Sequence, residues 1–141
     1  MRPNRFAAFR CDINLAEAVT IRILITARSF YRLYAKGELI SHGPARAGHG
    51  ALRIDELPLA VPTGRVCLAV ELAAYSSTDH YSNNCTLESG LLLSEVWDGE
   101  TLLAATGNDI ASQWFCAELH HRKSDVELIS HSHEMLTFYK L

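Results

Sequence analysis

The amino-acid sequence predicts an all-β protein, an antiparallel jelly-roll β-sandwich. Three observations carry that expectation. Apolar and polar residues alternate at period 2 over short runs, the pattern of a half-buried strand. Turn dipeptides such as Lys36-Gly37 and Asp98-Gly99 separate those runs. No long stretch shows the 3.6-residue period of an amphipathic helix, so about eight to ten short strands account for the chain.

Taken in order, Phe6 to Asn14 reads as a first strand, with Phe9, Cys11 and Ile13 alternating against Arg10 and Asp12. Leu15 to Ala18 connects it to Val19–Ala27, which sets Val19, Ile21, Ile23 and Ile25 on one face and Thr20, Arg22 and Thr26 on the other. Its β-branched richness favours a strand over a helix of the same length. In the next strand Tyr31, Leu33 and Ala35 share one side and Arg32, Tyr34 and Lys36 the other. Gly37 suits the positive φ of a two-residue hairpin turn, and a return strand ends in a loop closed by Gly43-Pro44.

Ala45 to Gly50 is glycine-spaced loop, Ala51 to Leu59 a strand ending near Pro58, and Pro62-Thr63-Gly64 a turn. Arg65 to Ala74 follows as a central strand, Val66, Leu68, Val70 and Leu72 inward and Glu71 outward. Tyr75 to Ser89 is polar and rich in Ser, Asn and Asp, hence a loop, and loops beyond ~12–15 residues are usually functional or mobile. Gly90 to Trp97 and Thr101 to Thr106 form a second hairpin about Asp98-Gly99. Thr106 to Asp109 turns again. Residues 110–118 fit a short helix or a strand equally well, and Val126–Ile129 and Met135–Tyr139 are expected to be final strands.

The 141 residues suit one domain, 48% hydrophobic and 21% charged, an ordinary globular composition. A net charge of -3 with no lysine/arginine stripe argues against nucleic acid as a partner. No segment approaches the ~18 consecutive apolar residues of a membrane helix, so no membrane partner is expected. The N-terminus has charges but no apolar signal core, and the expected compartment is cytoplasmic. Cys11, Cys67, Cys85 and Cys116 show neither CxxC spacing nor disulfide-scaffold density, and Cys67, inside an apolar strand, reads as a free buried thiol.

Three stretches together resemble a known family: YRLYAKGELISHGPARAGHG, RVCLAVELAAY and LLLSEVWDGETLLAATG. They resemble the N-terminal β-sandwich domain of bacterial α-L-rhamnosidases and related glycoside hydrolases. The shared pattern is a YRLYVNGE…GPAR hairpin, an apolar strand, and an EV-DG-E hairpin before Ala-Thr-Gly. It runs with gaps from about Phe9 to the C-terminus. Lys36 stands where asparagine is common, and Ser76 to Glu88 departs from the pattern.

The resemblance implies a galactose-binding-like jelly roll that serves as an accessory module. In such enzymes an (α/α)6 barrel further along the chain carries a carboxylate pair that inverts the anomeric centre. No catalytic residue transfers to this sequence. The partners implied are that barrel and a carbohydrate, a rhamnose-containing glycan. On this reading residues 1–141 are one accessory domain, with about 125–141 leading toward a further domain.

The residues themselves leave three readings of the loops open. Inverting glycosidases need two carboxyl groups roughly 6.5–9.5 Å apart. The candidates among the carboxylates here are Asp55, Glu56, Glu71, Asp79, Glu88, Glu95 and Asp98. Asp55 and Glu56, as strand neighbours, point to opposite faces. Asp98 is a turn residue, and Glu71 and Glu95 are outward strand positions. No GxSxG elbow or calcium loop occurs. His120-His121 and His131-x-His133 sit in irregular sequence as surface or linker histidines, so neither metal nor cofactor is expected.

A sugar site combines an aromatic face with planar polar groups. Tyr75, Asp79, His80, Tyr81, Asn83 and Asn84 offer that mix in one loop, with Arg46 and His49 on a neighbouring one. The plainer reading packs Tyr75 at a strand end and solvates the rest. A third makes these loops the contact with a barrel domain. Trp97 and Trp114 read as core or sheet-face packing rather than sugar platforms.

Overall fold

The computed structural model describes residues 5–45, 47, 51–74, 92–107 and 113–120. Within them nine strands form two antiparallel sheets: β1 (Arg5–Leu15), β2 (Val19–Ala27), β3 (Phe30–Ala35), β4 (Glu38–Gly43), β5 (Asp55–Val61), β6 (Gly64–Ala74), β7 (Leu92–Asp98), β8 (Thr101–Ala105) and β9 (Trp114–Glu118). One sheet has five strands in the order β4-β3-β6-β1-β9 and the other four in the order β5-β2-β7-β8. The described residues contain no helix. The all-β sandwich expected from the alternating pattern is what the chain forms.

The core lies between the sheets and is built from alternate residues. Ile21, Ile23 and Ile25 of β2, Leu33 of β3, Val66, Leu68 and Val70 of β6 and Val96 of β7 are fully buried there. Each contributes about 1.5–3 kcal/mol relative to an exposed position. Register holds this set in place, because a one-residue slip turns every such side chain outward. β6 pairs with β3 on one side and β1 on the other, so it is the central strand the sequence predicts.

The Lys36-Gly37 turn has φ 53° and 85°, both positive as a type I′ hairpin requires. Lys36 takes the position that asparagine tolerates better, and its N–H donates to the Cys67 carbonyl at 3.1 Å, fastening the turn to β6. Across the outer face of β1 and β6, Asp12 accepts from Arg65 Nη2 at 3.0 Å and from Arg10 Nη2 at 3.3 Å. Those bonds, that of Arg65 foremost, hold the Asp12 carboxyl down at about 2.

Three expectations need correction, and one open reading is resolved. β5 runs from Asp55 to Val61 with Pro58 inside it, whereas 51–54 are exposed and outside any strand. Proline is tolerated there because β5 is an edge strand with one side unpaired. The second hairpin turns about Gly99-Glu100, since Asp98 already pairs with Thr101. The ambiguous 110–118 region contains the strand β9. Cys67 is half-buried, opposite the outward Asp12, and the fully buried thiol is that of Cys11. Burial raises the Cys11 thiol to about 11. The loop expected at Tyr75–Ser89 and the strands expected at Val126–Ile129 and Met135–Tyr139 lie outside the described residues.

Candidate functional site

Strand directions divide the sandwich into two unlike ends. At one end the chain reverses through residues 16–18, 36–37, 62–63 and 99–100, all tight connections. At the other, β4 and β6 finish at Gly43 and Ala74, and β5 and β7 begin at Asp55 and Leu92. The two longest connections, 44–54 and 75–91, therefore both leave from this second end. Gly43 pairs with Tyr31 and Tyr31 with Leu72, so the roots of the two connections stand two strand spacings apart, about 10 Å.

A polar lock closes the sandwich beneath those roots. Tyr31 points inward from β3 and is 1% exposed. A buried phenol requires a partner, and its hydroxyl donates to Asp55 Oδ2, the first residue of β5 in the opposite sheet, at 2.5 Å. Burial, with this hydrogen bond second, raises the Tyr31 phenol above its ordinary value, so it remains the donor and the carboxylate the acceptor. Arg53 Nε stands 3.9 Å from Asp55 Oδ1 on the outer side.

Gly43 lies against the lock. A Cβ at this position would collide with Asp55 Oδ2 and stand 2.9 Å from the Tyr31 hydroxyl. Glycine is needed here for close approach. The Gly43-Pro44 peptide is cis and opens the 44–54 connection directly above.

Of the residues singled out for carbohydrate contact, Arg46, His49, Tyr75, Asp79, His80, Tyr81, Asn83 and Asn84 all lie outside the described residues. The strands bring the roots of their two segments to one end of the sandwich. Sequence reasoning missed the lock. One signal could have found it: Tyr31 is the only residue with a hydroxyl on a strand face otherwise made of Leu33 and Ala35.

Four of the candidate carboxylates, Asp55, Glu56, Glu71 and Glu95, have structural partners. Asp55 and Glu56 do face opposite ways, the first toward Tyr31 and the second 3.6 Å from Arg22 on the surface. Glu71 pairs with Arg32 at 3.7 Å. Glu95 accepts from the Trp97 indole N–H at 2.9 Å, and Arg22 lies over the Trp97 ring at 5.9 Å from its centroid. Trp97 thus packs on a sheet face, while Trp114 is half-buried against the core. Of the four motif histidines, His120 alone is described, and no three His, Cys, Asp or Glu side chains converge among the described residues.

No protein family matches this sequence, and no curated protein does. Among solved structures, the chain is similar to the crystal structure of a GH78 family rhamnosidase of Bacillus sp. GL1, with a TM-score of 0.66 and 25% identity over 85% of this chain. It spans 12% of that rhamnosidase's length. The likeness is therefore to one domain of a much longer enzyme, and it agrees with the resemblance carried by the hairpin motifs.

Proposed function

We propose that this chain is a non-catalytic β-sandwich domain of an α-L-rhamnosidase-like glycoside hydrolase, supporting a catalytic barrel and contributing to carbohydrate recognition. The observation that carries the reading is the structural likeness to part of the Bacillus rhamnosidase. The occupied carboxylates support a non-catalytic role, because Asp55, Glu56, Glu71 and Glu95 each hold a structural partner. Recognition is assigned to the end from which 44–54 and 75–91 leave, as the pairing of Gly43, Tyr31 and Leu72 gathers their roots. A ligand bridging two loops over a rigid scaffold is the usual economy of binding modules.

The test is a titration of the isotope-labelled chain with rhamnose and an aryl α-L-rhamnoside, followed by amide shifts and by release of the aryl alcohol. The expected result is shifts confined to 44–54 and 75–91 with no hydrolysis. Hydrolysis by this chain would overturn the non-catalytic reading, and unmoved amides at millimolar sugar would overturn the recognition role.

A further inference from the structure

Among the described residues each sheet has two edge strands, and an unpaired edge is a template for another chain unless something blunts it. Three of the four are blunted. β5 carries Pro58. β4 carries an extra residue, since Leu33 pairs with Ser41 and Tyr34 with Leu39, leaving Ile40 bulged. β8 is bulged likewise at Leu103, between the Val96–Ala104 and Trp97–Leu102 pairs.

The fourth, β9, has the sequence WFCAE, regular register against β1, no proline, no lysine and no bulge. The five-stranded sheet is wider than its partner, and β9 is exposed from Phe115 to Glu118. Phe115, at 73%, is the most exposed large hydrophobic side chain among the described residues.

The hydrogen-bond phase of this edge is readable. Leu119 N–H donates to the Phe6 carbonyl at 2.7 Å, one step beyond the Ala7–Glu118 pair. In an antiparallel ladder such pairs alternate, so Ala117 and Phe115 also bond toward β1. Trp114, Cys116 and Glu118 then direct their backbone N–H and C=O groups to the free side.

We propose that β9 joins two copies of this chain, antiparallel across a twofold axis at Cys116, into one continuous sheet. That axis sets Cys116 opposite its own counterpart and Trp114 opposite Glu118 of the second copy, which matches the three outward-facing residues. It forms about six backbone hydrogen bonds, two at the axis and two in each flanking pair. Phe115 then stands opposite Ala117 of the second copy on the outer face, large beside small, in the closer non-hydrogen-bonded pairing. The indole N–H of Trp114 is buried with no hydrogen-bond partner among the described residues. The axis places a carboxylate, Glu118 of the second copy, across from it. Such an interface is isologous and closes at two copies.

The test is sedimentation equilibrium of the full chain across a wide concentration range, with oxidative crosslinking. The expected mass is twice 15.7 kDa, falling to 15.7 kDa on dilution. Paired Cα atoms at about 5.5 Å lie within disulfide reach, so oxidation should link Cys116 to Cys116 between copies. Phe115→Lys should abolish the dimer. Cys116→Pro removes only an outward N–H and should do so too, while Cys116→Ala keeps the dimer and loses the crosslink. A mass of 15.7 kDa at every concentration would overturn the proposal, whether the edge is bare or covered by residues 121–141. So would a dimer that survives Phe115→Lys or crosslinks through another cysteine.

Discussion

Replacing Tyr31 by phenylalanine removes one oxygen and leaves the ring in its cavity. The change therefore isolates the bond to Asp55. A hydrogen bond to a charged acceptor contributes about 1.5–3 kcal/mol, and the loss is largest when the abandoned partner stays partly desolvated. The Asp55 side chain is 20% exposed, with Arg53 as a distant companion at 3.9 Å, so water and Arg53 recover some of the loss. The expected cost is about 2 kcal/mol, or a fall of roughly 6–10 °C in the unfolding midpoint of a domain this long.

Urea unfolding followed by the fluorescence of Trp97 and Trp114 measures it, with an unchanged denaturant slope as the sign that only stability moved. Gly43→Ala should cost a similar amount, because its methyl displaces the same two oxygens. The double variant should then lose little more than either single one, since both act on one bond. A Tyr31→Phe chain within about 0.5 kcal/mol of the parent, or full additivity with Gly43→Ala, would refute the lock.

Two further outcomes follow from the outer face and the core. Asp12→Asn should destabilise the chain at neutral pH, and its difference from the parent should shrink as pH falls through about 2. The sign follows because the Asp12 carboxyl titrates lower folded than unfolded, so its contribution is present above the ordinary carboxylate range and lost on acidification. Urea midpoints of both chains between pH 7 and pH 2 check it, and a constant difference would contradict the Arg65 bond. Cys11, buried and with its thiol raised to about 11, should resist a thiol reagent at mildly alkaline pH until the chain unfolds. In a Cys85→Ser background, mass mapping of the modified sites reads this directly, and labelling of native Cys11 would contradict its place between the sheets.

How much of this was legible depended on whether a strand had two unlike faces. β2 and β6 have one face in the core and one in water, so their valines, isoleucines and leucines alternate and their bounds were readable almost to the residue. β9 overhangs the opposing sheet, so Phe115, Cys116, Ala117 and Glu118 are all exposed and no alternation marks a strand. β5 was displaced by about four residues because Pro58 reads as a terminator until the strand is known to lie at an edge. The lock joins residues 24 positions apart in different sheets, and that meeting is a product of topology. The aromatic and polar residues chosen for sugar contact lie outside the described residues, where the strands establish only the place from which their segments depart.

The position of β1 also governs how the chain comes to be folded. β1 sits between β6 and β9, with Arg5 opposite Ala74 and Leu15 opposite Gly64. β1 therefore waits for partners that lie far along the chain, Gly64–Ala74 on one side and Trp114–Glu118 on the other, and such non-local closure slows folding. Until β6 emerges, the local β3–β4 hairpin is the one piece of its sheet that can assemble. Shortening the chain from its front would be costly for the same reason. Loss of β1 removes the bridge on which β9 depends, so two strands depart with one.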